Sequence, residues 1–102
     1  MSRTRQLAKT LHASIISPEL RQQPVTSLIL EIVDALRIEL CLRLGNAIPG
    51  VRLTEIGVKW DGLAHFQISF RCRCYSWTPQ ELAEDDLVEI IPWLLSYDEA
   101  RR

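Results

Sequence analysis

Apolar residues fall at helical spacing in the first half of this chain and at alternate positions in much of the second. In residues 3–16, Leu7, Leu11 and Ile15 recur every four positions with Ala8 beside them, which predicts an amphipathic helix. Ser17-Pro18-Glu19 reads as a cap with proline at a first helical position, so one short turn follows. Pro24 disfavours helical backbone at Gln23 and makes 21–25 a connector. The run 27–44 is the most apolar. Ile29, Val33, Leu36, Leu40 and Leu44 form one stripe, and Leu28, Ile32, Ala35 and Leu42 a second beside it. Glu31, Asp34 and Arg37 leave a narrow polar strip, and Glu39 and Arg43 form a surface pair one turn apart. Thr26 or Ser27 is placed to cap this helix, and Gly45 to stop it. A helix apolar around most of its circumference needs cover on more than one side.

Ile48-Pro49-Gly50 turns the chain, and from Val51 the period becomes two. Ile56, Val58 and Trp60 alternate with Gly57 and Lys59. Val51 and Leu53 have the opposite parity, which predicts a bulge or bend near 55–57. Asp61-Gly62 then signals a hairpin. Its second arm reads as one long strand over 63–77. Phe66, Ile68, Phe70, Cys72 and Cys74 take the core face, and His65, Gln67, Ser69, Arg71, Arg73, Tyr75 and Trp77 the other. Thr78-Pro79-Gln80-Glu81 is a capping box with proline at the first helical position. Asp85 and Asp86 precede a further apolar run that Pro92 interrupts, with Trp93, Leu94, Leu95 and Tyr97 beyond it and a frayed tail at 98–102. The expected fold is α+β: N-terminal helices, a long antiparallel hairpin and a C-terminal helix. Residues 1–25 form a helical arm ahead of a single domain at 26–102. An isolated two-stranded hairpin is marginal in water, so the sheet is expected to be completed by oligomerisation.

The 102 residues suffice for one modest core, and 47% hydrophobic with 25% charged residues is an ordinary globular balance. The net charge of −1 offers no general attraction to nucleic acid or anionic lipid. The charge is unevenly spread, however. Residues 1–18 carry Arg3, Arg5 and Lys9 and no acid, whereas 79–102 are rich in acid, and such opposite ends suit contact between copies. No long apolar stretch follows the basic start, so no signal peptide is expected. Five charged residues in 27–44 argue against a membrane span, since each would cost about 3 kcal/mol at mid-bilayer. The odd set Cys41, Cys72 and Cys74 suits a reducing compartment better than a disulfide scaffold.

Candidate chemistry is sparse. Cys72-x-Cys74 would point two thiols to one face of a strand, but in register with Phe66–Phe70 they read as core residues. His12 and His65 lack a nucleophile context, the acids at 81–89 lack the spacing of a calcium loop, and the four glycines form no phosphate cradle. No catalytic residue, metal site, cofactor or small-molecule substrate is therefore expected. Arg71 and Arg73 interleaved with Tyr75 and Trp77 could stack nucleotides, but with net charge near zero they read first as a protein interface. Leu7, Leu11, Ile15, Leu28, Ile32 and Trp93 are the further interface candidates, as apolar positions with little else in the chain to cover them.

The stretch Ile32–Leu53, I-V-D-A-L-R-I-E-L-C-L-R-L-G-N-A-I-P-G-V-R-L, resembles the opening of tail-terminator and tail-completion proteins of long-tailed bacteriophages. In outline the resemblance runs over 28–95: helix, P-G-V turn, strand and hairpin, further helix. It implies a non-enzymatic virion component that forms a ring at a tail end, neck or connector and contacts other virion proteins. Such a protein is located in the virion or the host cytoplasm. The alternative expectation is a small phage-encoded or cytoplasmic antagonist or adaptor that binds a host protein through its acidic helix or the Arg71–Trp77 face.

Overall fold

A computed structural model describes residues 3–20, 24–71, 73–84 and 91–92. Helix α1 spans Arg3–Ile16 and α2 spans Val25–Ala47. Strands β1 (Ile56–Trp60), β2 (Phe66–Phe70) and β3 (Arg73–Trp77) follow, and then α3 (Pro79–Glu84). Short 3-10 turns lie at Pro18–Leu20 and Leu53–Glu55. The second takes the place of the bend expected near 55–57. The fold is α+β, with an antiparallel sheet in the order β1-β2-β3.

The buried row of α2 is Leu28, Ile32, Leu36, Leu40 and Leu44, each step being four residues. At 3.6 residues per turn such a row winds by about 40° per step. Leu28 and Leu44 therefore face directions well apart. One row serves two partners, since α2 packs on α1 and on β1. Fully burying each of these side chains contributes about 1.5–3 kcal/mol. Ile29 and Val33 flank the row half-buried, whereas Leu42 of the expected second stripe is 69% exposed. The helix also outruns its expected ends. It starts after Pro24, whose fixed φ of −58° suits a helix entry, with no side-chain cap from Thr26 or Ser27. It continues through Gly45 to Ala47, and the Ile48 N–H bonds back to the Leu44 carbonyl.

The expected arm is not separate. Ala8 and Leu11 of α1 are fully buried in the same core as α2, the sheet, Leu82 and Ala83. Helix α1 packs on both α2 and α3. Arg5 Nε donates to the Ala83 carbonyl at 2.9 Å, satisfying a backbone acceptor at the end of α3. The first helix thus folds back on its own chain.

The long strand expected over 63–77 is two strands. Phe70 stands opposite Arg73, so positions 71 and 72 alone connect β2 to β3, and Arg71 takes a left-handed φ of 57°. Directly opposed residues share a face, so this turn reverses the parity of everything after it. Trp77 pairs with Phe66, Tyr75 with Ile68 and Arg73 with Phe70, and all three join the core face. Trp77 is 1% exposed, and its ring lies 4.9 Å from that of Tyr75. Cys74, expected in the core, pairs with Ser69 on the outer face and is exposed. Cys72 lies outside the described residues. Between β1 and β2, Asp61-Gly62 opens a five-residue loop over 61–65 rather than a two-residue turn, and Trp60 pairs with Phe66 across its base.

Candidate assembly surface

The expected interface residues separate by burial. Leu11, Leu28, Ile32 and Trp77 are core residues of this chain, and a partner has no access to them. Leu7 is half-buried against the same core. They are buried because α1 and the reversed β3 supply cover that the linear pattern did not place. Ile15 and Arg71 are exposed, Tyr75 is 38% exposed, and Arg73 is half-buried. Trp93 lies outside the described residues. The Arg71–Trp77 stretch is therefore not one basic and aromatic platform, because its last residue closes the core.

A different surface emerges on α2. Ile38 is 52% and Leu42 69% exposed, on the side turned away from Leu36, Leu40 and Leu44. Together with Glu31, Ala35 and Gly45 they are spaced four, three, four and three residues apart, the interval of a coiled-coil seam. Helix α1 has 14 residues and α2 has 23, about 21 Å against 34 Å at 1.5 Å per residue. Arg3 and Thr4, at the start of α1, reach the groove formed with Glu31, Asp34, Ala35, Ile38, Glu39 and Leu42, which encloses about 480 Å³. Beyond α1 this side of α2 is open among the described residues.

The polar rim of this groove is incompletely satisfied. Thr4 is 2% exposed, and its hydroxyl has no hydrogen-bond partner among the described residues. Glu39 Oε1 accepts from Arg43 at 3.4 Å, while its shielded Oε2 has no partner among the described residues. Buried polar atoms are nearly always paired, so these two stand out beside the apolar seam. The single-sequence signal for this seam was the four–three spacing of Ala35, Ile38, Leu42 and Gly45, which the denser four-residue stripes conceal.

No described strand pairs with the outer edge of β3. In the loop between β1 and β2 the polar side chains have structural roles. Asp61 accepts from the N–H groups of Leu63, Ala64 and His65 at 2.8–3.0 Å, and His65 Nδ1 lies 3.3 Å from its other oxygen. These hydrogen bonds, that from His65 foremost, lower the Asp61 pKa from 3.8 to about 2. The described residues contain no group of three His, Cys, Asp or Glu side chains able to hold a metal, and no helix among them is long and apolar enough to cross a membrane. In comparisons with known proteins, no family, no curated protein and no solved structure matches this chain.

Proposed function

We propose that this chain is a non-enzymatic assembly subunit that associates with copies of itself, α2 against α2, and serves as a virion component of the tail-terminator, neck or connector kind. The observation that supports self-association is the seam Ala35–Ile38–Leu42–Gly45 at coiled-coil spacing, with Ile38 and Leu42 exposed at its centre. The virion reading is carried by the resemblance of Ile32–Leu53 to the openings of phage tail-end proteins, and other virion proteins would be its further partners.

Charge selects the orientation. The acids Glu31, Asp34 and Glu39 line one half of the seam, and Leu42, Gly45 and Asn46 make the other half uncharged. Parallel pairing would stack Glu31 and Asp34 on their own counterparts. Antiparallel pairing sets the acidic half on the neutral one and opposes the helix dipoles favourably. With the two helices crossing at the level of Leu40, Ile38 meets Leu42 of the second copy and Ala35 meets Gly45. A Cβ at Gly45 would touch nothing within 4 Å, so the helix backbone is open to close approach there.

The test is a pair of charge insertions, I38E and L42E, followed by sedimentation and circular dichroism. Exposed positions tolerate substitution within about 0.5 kcal/mol, so the variants should keep their helicity and melting temperature. The expected result is association in the wild type and its loss in the double variant. Unchanged association in a folded double variant would remove α2 as the contact. Capture of a single host protein by a monomeric wild type would favour the antagonist reading instead.

A further inference from the structure

On the outer face of the sheet, where the β-ladder pairs Gly57 with Ser69, Ser69 with Cys74 and Lys59 with Gln67, lies a cavity of about 310 Å³. Arg37 lines it as well. It comes from α2, which packs along the edge strand β1. Two observations set this place apart. The Arg37 Nε is shielded from solvent without a hydrogen-bond partner, and neither Arg37 nor Lys59 has an ion-pair partner, among the described residues. At Gly57 the missing side chain admits the Ser69 hydroxyl into the floor: a Cβ there would come within 2.5 Å of it. A shielded guanidinium donor left unpaired is costly, and a missing ion is one of the ordinary reasons for such a group.

We propose that this notch binds a small oxyanion, the phosphate or carboxylate group of a small molecule. The planar guanidinium of Arg37 supplies parallel donors that match two oxygens of such a group. Lys59 supplies a second positive charge at the rim, and the Ser69 hydroxyl and Gln67 amide supply neutral donors. A cavity of this size is at the small end of ligand sites and suits a small molecule that carries the anionic group. The site is independent of the α2 seam, since none of its residues belongs to the Ala35–Gly45 row.

The test is titration of the full-length protein with inorganic phosphate and, separately, acetate, each against sodium chloride at matched ionic strength. Amide and arginine Nε–Hε resonances are followed by NMR. The expected result is saturable shifts at Gly57, Ser69 and the Arg37 Nε–Hε, with affinity reduced about tenfold in R37Q, since hydrogen bonds to charged groups are among the stronger ones. K59Q, an exposed change that should not disturb folding, is expected to weaken binding severalfold. Saturation by phosphate alone assigns a phosphate-bearing ligand, and by acetate alone a carboxylate. Shifts that rise linearly with either salt, spread over all basic residues, or persist unchanged in both variants would overturn the proposal.

Discussion

The Asp61 carboxylate gathers three backbone N–H groups that the five-residue loop would otherwise leave to solvent, and those bonds hold its pKa at about 2. Because the folded value lies below the ordinary one, the contribution is complete above about pH 4 and fades as the pH falls towards 2. Urea midpoints for wild type and D61N should therefore converge between pH 4 and pH 2, other carboxylates cancelling in the comparison. A difference that stays constant across that range would show that the charge plays no part. Asp61-Gly62 was legible as a connection, but not its length, because a carboxylate able to cap three amides stabilises a longer loop as well as a tight turn. Arg71 shows the opposite case. It occupies a left-handed backbone conformation without the glycine or asparagine that usually announces one, while its guanidinium lies 4.9 Å from the Phe70 ring centre. R71N should stabilise the protein by up to about 1 kcal/mol, the relieved backbone strain outweighing the lost ring contact. Thermal melts of the two proteins decide it, and a lower melting temperature for R71N would contradict the strain.

At the scale of elements, the best-read features were those with a local mechanism. The bounds of α1, the short turn at Pro18 and the capping box of α3 follow from spacing and caps alone. In α3 the Glu81 N–H donates to Thr78 Oγ1 at 3.1 Å, and the Thr78 N–H donates to the Glu81 carboxylate at 3.2 Å. T78A should cost about 1 kcal/mol, and T78S much less. Equal losses in the two variants would mean that the hydroxyl is not what holds the helix start. The features misread depend on a single unsignalled turn. Nothing in Phe70-Arg71-Cys72-Arg73 distinguishes a continuing strand from a reversal, yet the reversal alone carries Trp77 into the core and Cys74 out of it. In α2 the row from Leu28 to Leu44 was visible only as parts of two stripes, because alignment with two different partners selects a winding row. Leu36→Ala, in the middle of that row, should cost about 2–5 kcal/mol, a large share of the roughly 5–15 kcal/mol typical of a domain.

Over the whole molecule, the hydrophobic excess of α2 finds cover in two places within the chain: α1 and the sheet. That cover answers whether the first helix docks on its own chain, and it removes Leu11, Leu28 and Ile32 from any interface. What is left among the described residues is narrower and better defined than composition suggested: the Ala35–Gly45 seam, beside which Thr4 Oγ1 and Glu39 Oε2 have no described partner, and the exposed Ile15, Arg71 and Tyr75. This remainder was illegible beforehand because which apolar residues stay exposed depends on the tertiary partners and not on spacing alone. Self-association through the seam is the central claim, and the mass of the native wild-type particle tests it most directly. Native mass spectrometry across a concentration series should show a defined multiple of the 11.7 kDa chain. A single chain mass persisting at the highest concentrations would contradict it.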